Sequence, residues 1–79
     1  MNIQEDVIII VANQLGLQKA LINENDTLID DLGADSIDLI EIVLALETKF
    51  DLDMSLTQEY ALITIKDVIT YVKESIMVH

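Results

Sequence analysis

One serine of this chain stands where a side chain could take part in chemistry. Ser36 lies within the stretch DLGADSIDLIE, residues 31–41, and is flanked by Asp35 and Asp38. A turn that contains Gly33 precedes it, and apolar residues at helical spacing follow it. A serine in this position is typical of two things, the cap of a helix or a site of chemistry.

Ser36 lacks the neighbours that a catalytic serine needs. A nucleophilic serine is activated by a base within reach, and the only histidine is His79, the last residue. The G-x-S-x-G nucleophile elbow is absent, because Ala34 and Asp38 stand where its glycines belong. The sequence therefore predicts no self-contained hydrolase, and from local sequence alone Ser36 fits an ordinary helix N-cap.

The acidic residues around Ser36 do not form a calcium-binding loop. Read as a twelve-residue EF-hand loop, Asp30–Glu41 has Leu32 and Ala34 where oxygen ligands belong, and Asp35 where the sharp turn requires glycine. A second window, which begins at Asp51, has leucines at the glycine position and at the final position. The sequence therefore predicts no metal site.

Length and composition indicate one small domain. The 79 residues predict a single domain over 1–79, and the apolar fraction of 52% is sufficient for a compact core. The absence of cysteine excludes disulfides and thiolate metal sites, and fits a reducing compartment. The apolar run Val7–Ala12 is too short to span a membrane and lacks the basic flank of a secretion signal. We therefore expect a complete, soluble protein.

The charge of the chain is strongly negative and unevenly distributed. Fifteen acidic residues, four lysines and no arginine give a formal net charge of −11, which makes nucleic acid an unsuitable partner. Ten of the fifteen acids lie between residues 26 and 59, where Lys49 is the only base. Such a cluster favours partner proteins with basic docking patches over a general contribution to solubility.

The hydrophobic pattern predicts an all-α fold, a small bundle of three main helices plus one short helix. The first helix is predicted over Ile3–Leu15, with Asn2 as its cap, Glu5 as a capping-box acid and Gly16 at its end. A long loop follows over 17–35. Its apolar residues are regularly spaced and predict that it is held against the core: Leu17, Leu21, Ile22, Leu28, Ile29 and Leu32.

The second half of the chain holds the remaining helices. Helix two is predicted to start at Asp35 or Ser36 and to end near Phe50. A short helix is predicted over Ser55–Ala61, where Ser55 and Gln58 have capping-box spacing. A Thr64–Asp67 capping box starts the last helix, whose apolar stripe consists of Ile65, Val68, Ile69, Val72 and Ile76.

Helix two carries more apolar surface than one core face requires. On a helical wheel, one arc of about 100° forms a sufficient core face: Leu39, Ile42, Val43, Leu46 and Phe50. Ile37, Ile40 and Leu44 form a second stripe, which Glu41 and Glu47 flank. A short bundle that buries helix two from both sides would explain this second stripe. An exposed docking strip with an acidic rim is the alternative explanation, and Ile37 and Ile40 could serve core and partner in turn.

The stretch DLGADSIDLIEIVLALETKFD closely resembles the acyl carrier proteins, whose hallmark is a D-S-L-like tripeptide at the start of the second helix. The likeness extends to a first helix that ends in QLG and to TIKDVITYV in the last helix. By this resemblance, a phosphopantetheinyl transferase attaches 4′-phosphopantetheine from coenzyme A to Ser36. The protein would then be a carrier without catalytic activity, which tethers acyl chains as thioesters and presents them to the enzymes of fatty-acid synthesis.

The resemblance also implies roles for residues around Ser36. Asp35 and Asp38 would help the transferase place its metal and its basic side chains. Basic patches on partner enzymes would meet an acid-rimmed apolar surface, composed of Ile37, Ile40, Glu41, Leu44 and Glu47. The acyl chain would fold back among interior residues, namely Ile42, Leu46, Phe50 and Leu62.

Two alternatives remain open at this point. Carriers for polyketide, peptide or D-alanyl transfer share the modified serine, although the acid-rich helix two and GADSID favour the fatty-acid carrier. An unmodified acidic interaction domain, in which Ser36 is only a cap, belongs to a different functional class.

Overall fold

The computed structural model describes residues 2–53 and 63–77. Helix α1 spans Ile3–Leu15, as predicted. Asn2 caps it by accepting a hydrogen bond from the backbone N–H of Glu5 at 3.0 Å, and Gly16 ends it in the left-handed conformation at φ 67°. The Glu5 carboxylate does not complete the predicted capping box, because it pairs with Lys19 Nζ.

Of the two later helices of the described part, α2 has the predicted boundaries and α3 starts where its capping box predicts. Helix α2 spans Ser36–Phe50 and helix α3 spans Ile65–Met77. The capping box at the start of α3 is confirmed, because Thr64 Oγ1 accepts from the Asp67 N–H at 3.1 Å and Asp67 Oδ2 accepts from the Thr64 N–H at 3.0 Å. The predicted short helix over Ser55–Ala61 lies outside the described residues.

One hydrophobic core joins the helices. Its buried members come from α1, the loop and both later helices, and include Val7, Val11, Leu28, Ile42, Val43, Leu46, Ile65, Val68 and Val72. The all-α fold is therefore confirmed, since within residues 2–53 and 63–77 three helices pack around these side chains, together with a short 3₁₀ turn at Lys19–Leu21. No helix of the described ranges has the length and apolar composition that crossing a membrane requires.

The long loop between α1 and α2 is held against the core, but not by every predicted residue. Leu28 and Ile22 are buried, whereas Leu21 and Ile29 are 70% and 57% exposed. The prediction was wrong for these two residues because the spacing of apolar residues in a non-helical loop does not determine which side chains face the core. The loop is fastened through its backbone to the start of α3, where the Leu28 N–H donates to the Ile63 carbonyl at 2.9 Å and the Ile65 N–H donates to the Asp26 carbonyl at 3.1 Å.

Candidate functional site at the start of helix α2

Asp35, not Ser36, is the N-cap of α2. Asp35 Oδ1 accepts from the Asp38 N–H at 2.8 Å, and Asp38 Oδ2 accepts from the Asp35 N–H at 3.1 Å, so the two aspartates form a complete capping box. Ser36 is the first helical residue. The expectation of a serine cap was wrong because aspartate caps helices as well as serine does, and the acid three residues later favours Asp35.

The Ser36 side chain is exposed. Its hydroxyl makes no hydrogen bond to any residue in 2–53 or 63–77. It lies at a helix N-terminus, where free backbone N–H groups and the positive end of the helix dipole favour an anion. The hydroxyl is therefore accessible to an external reagent and stands where a phosphodiester would be stabilised.

This assignment of the cap predicts how two substitutions differ in stability. Asp35→Ala should lower the free energy of unfolding by about 1 kcal/mol, because it removes the acceptor for the Asp38 N–H. Ser36→Ala should change it by less than about 0.5 kcal/mol, since the lost hydroxyl is exposed and has no partner in the described part of the chain. Urea denaturation of both variants measures the difference, and a larger loss for Ser36→Ala would contradict the assigned cap.

The loop fixes the position of Ser36 relative to the core. Gly33 adopts φ 78°, which favours glycine, and its N–H donates to the Ile29 carbonyl at 3.1 Å. The next residue, Ala34, is buried and its N–H donates to the Leu28 carbonyl at 2.8 Å. Two residues before Ser36, the chain is therefore anchored to the buried Leu28, and the serine is presented on a rigid support.

The second apolar stripe of α2 faces outward. Ile37 is 66% exposed, Leu44 is 49% exposed and Ile40 is also exposed, while Glu41 lies on the surface beside them. Glu47 is partly buried. Of the two explanations for this stripe, the exposed strip with an acidic rim fits the described residues.

Three of the four residues predicted to surround an acyl chain lie on the opposite, core-facing side of α2. Ile42 and Leu46 are fully buried and Phe50 is buried close to the helix end, whereas Leu62 lies outside the described residues. Sequence reasoning missed Gln14 of α1, whose Nε2 donates to Asp38 Oδ1 at 3.4 Å. The two residues are 24 positions apart, and no local pattern signals such a contact.

Comparison with known proteins agrees with this geometry. Residues 5–72 match the family model described as the phosphopantetheine attachment site. The chain is 45% identical over 73 residues to an acyl carrier protein of Chlamydia felis, covering 92% of this chain and 94% of that one. It is 39% identical over 72 residues to an acyl carrier protein of Syntrophobacter fumaroxidans, covering 91% and 89% respectively. The chain belongs to the acyl carrier protein family.

A solved structure of the family has the same fold. The apo doublet acyl carrier protein from prodigiosin biosynthesis superposes with a TM-score of 0.81 at 29% identity, over 91% of this chain and 35% of that longer one. Acyl carrier proteins are carriers without catalytic activity, and their prosthetic group is 4′-phosphopantetheine.

The described residues fit this prosthetic group. Ser36 offers an exposed hydroxyl for an ester bond, and the start of α2 favours the phosphodiester charge. The carboxylates of Asp35 and Asp38 are adjacent, but each accepts a backbone N–H within the capping box. When bound, the group supplies a thiol that forms thioesters, so the chain needs no cysteine of its own.

Proposed function

We propose that this acyl carrier protein serves fatty-acid synthesis, carrying acyl chains as thioesters on phosphopantetheine attached to Ser36. The observation that carries the proposal is the exposed Ser36 hydroxyl, without a hydrogen-bond partner among residues 2–53 and 63–77, at the start of a helix with an exposed, acid-rimmed apolar stripe. A phosphopantetheinyl transferase would form the ester bond between Ser36 Oγ and phosphorus of coenzyme A. The transferase would take the serine proton and release the nucleotide portion of coenzyme A.

Asp35 and Asp38 have two tasks in this proposal. Their capping box fixes the first turn of α2, which carries Ser36, and their carboxylates present negative charge to the transferase. Basic side chains and a metal ion on the transferase would neutralise that charge while the phosphodiester forms. After modification, the first-turn amides of α2 stabilise the phosphodiester.

Partner enzymes would dock on the α2 stripe. Ile37, Ile40 and Leu44 supply apolar contact area, and Glu41 and Glu47 attract basic side chains. Tethering keeps the cargo at high effective concentration near each enzyme in turn. The single domain over 1–79 would act as a monomer in the cytoplasm, where coenzyme A and a reducing environment are available. It would not bind nucleic acid and would not insert into a membrane.

The docking role predicts a salt-dependent effect of charge reversal. Glu41→Lys should slow association with the transferase about three- to tenfold at low salt, because it opposes the steering of a basic patch. The matched control is Glu74→Lys, which makes the same change of charge at an exposed position of α3. Association rates at low and physiological salt measure the effect, which screening should reduce. Equal rates for Glu41→Lys and wild type at low salt would contradict the docking role.

One observation favours a second candidate function, in which the chain carries polyketide, peptide or D-alanyl groups on the same serine. The doublet carrier from prodigiosin biosynthesis superposes well on this chain. Intact-mass analysis of the protein isolated from its own cells tests the proposal directly. Fatty-acyl cargo on phosphopantetheine would support it, while aminoacyl or polyketide cargo would favour the alternative. Unmodified protein would favour an acidic interaction domain over both.

A further inference from the structure

A shallow groove runs between α1 and α2, beside the docking stripe. It is lined by Ile10 and Gln14 of α1 and by Glu41, Leu44, Thr48 and Lys49 of α2. Leu44 belongs to both features and is 49% exposed. The α1–α2 groove is therefore continuous with the surface on which partner enzymes are proposed to dock.

The polar groups of the groove leave an apolar centre with a charge at each end. The Thr48 hydroxyl donates to the Leu44 carbonyl at 3.1 Å, so it is satisfied within the helix. Gln14 donates to Asp38 and thereby bridges the two helices at the end nearest Ser36. Ile10 and Leu44 lie in the middle, with Glu41 toward the Ser36 end and Lys49 at the other end.

Lys49 is the unusual member of this surface. It is exposed, it is the only base between residues 26 and 59, and it makes no ion pair within the described ranges. Glu47 does not neutralise it from the same side, because residues two positions apart lie about 160° apart around a helix. Glu41 and Lys49 are about 12 Å apart along the axis of α2. That separation exceeds the Debye length of about 8 Å at physiological salt, so a partner meets two distinct charges.

We infer that the α1–α2 groove receives a segment of a partner enzyme whose apolar side chain covers Leu44 and whose carboxylate pairs with Lys49. The inference rests on the proposed function, in which α2 is the docking surface. A uniformly basic partner would be attracted by Glu41 and repelled by Lys49. The complementary partner has a basic side chain opposite Glu41 and an acidic one opposite Lys49, and this polarity fixes its orientation on the carrier.

A local role for Lys49 makes a different prediction. The residue lies in the last turn of α2, where a positive charge interacts favourably with the helix dipole. Loss of that interaction lowers the melting temperature and leaves binding below the transition unchanged. Binding and stability therefore separate the two roles.

Charge reversal at Lys49 tests the inference, because the two kinds of partner predict opposite changes in Kd. We would measure Kd between the phosphopantetheinylated carrier and the purified fatty-acid condensing enzyme of the same organism, for wild type, Lys49→Glu, Lys49→Gln and Lys73→Glu. Lys73 is an exposed residue of α3, so Lys73→Glu is a control with the same net charge as Lys49→Glu. Attraction to a uniformly basic partner predicts tighter binding for both charge reversals. A partner carboxylate at Lys49 predicts a Kd about three- to tenfold higher for Lys49→Glu, an intermediate value for Lys49→Gln, and no increase for Lys73→Glu.

The outcomes distinguish this inference from the proposed function. Weaker binding confined to the Lys49 variants supports the inference. Unchanged or tighter binding of Lys49→Glu overturns it, and a lowered melting temperature in that case leaves Lys49 as a helix-end charge. Failure of the transferase to modify wild type, or failure of the modified wild type to bind the condensing enzyme, would instead overturn the proposed function.

Discussion

Ser36→Ala should leave the protein without phosphopantetheine after incubation with coenzyme A and a phosphopantetheinyl transferase, while wild type gains one group. The effect is complete because the oxygen that forms the ester bond is removed. The fold should persist, since the Ser36 hydroxyl has no hydrogen-bond partner in the described part of the chain and the cap of α2 is Asp35. Intact mass and far-UV circular dichroism of the same samples separate loss of the site from loss of the fold.

Ser75→Ala is the matched control for this experiment. Ser75 lies within α3 and is only partly exposed, so its removal should leave modification unchanged. Mass gain that persists in Ser36→Ala and disappears in Ser75→Ala would refute the assignment of the site. Asp35→Ala should have an intermediate effect. The attacking Ser36 hydroxyl is present and only the cap of α2 is lost, so modification should be slower but not abolished.

The melting temperature should rise with the length of the attached acyl chain, in the order unmodified, arm only, butyryl, octanoyl, and then level off. Each methylene that leaves water contributes up to about 0.8 kcal/mol. Ile42 and Leu46 are already fully buried, so the acyl chain must separate packed side chains to enter the core. The cost of this separation offsets part of the free energy gained by burying the methylenes. An octanoyl chain should still add a few kcal/mol to the free energy of unfolding. For a domain of this size, each kcal/mol raises the melting temperature by about 4–8 °C. Thermal unfolding of the acyl series measures it.

Substitution at position 46 tests whether the acyl chain lies in the core. Leu46→Phe enlarges a fully buried side chain and should shorten the acyl length at which the plateau begins. Leu44→Phe makes the same change on the exposed stripe, two residues earlier, and should leave the plateau where it is. Each variant is compared with its own unloaded form, because overpacking lowers its stability independently. A melting temperature independent of chain length in all variants would mean that the cargo stays in solvent.

The helices were predictable because their signals are local. Asn2, Gly16 and the Thr64–Asp67 pair act within four residues, and the structure has the boundaries that they indicate. Within α2, helical periodicity separated a buried face from an exposed stripe that begins at Ile37. The cap was the exception, since both Asp35 and Ser36 are good caps and only the reciprocal bond from Asp38 decides between them.

The parts of the site that depend on distant contacts were not predictable. The Gln14–Asp38 bond and the α1–α2 groove form only when the two helices pack against each other. The sequence of either helix alone does not predict them. The loop is a similar case. Its turn at Gly33 places Leu28 inside and Ile29 outside, a distinction that residue type does not make.

The backbone bonds between the loop and the start of α3 have a consequence for the order of folding. The bond from Leu28 to Ile63 joins residues 35 positions apart in the sequence, and the bond from Ile65 to Asp26 joins residues 39 apart, whereas each helical bond joins residues four apart. Closing so long a stretch of chain costs entropy that local bonds avoid, so we expect the helices to form early and this connection to form last. In a pulse-labelling hydrogen-exchange experiment, the amides of Leu28 and Ile65 should become protected after those in the middle of α1. The serine would then reach its final position only in the last step of folding, because its support at Ala34 depends on Leu28.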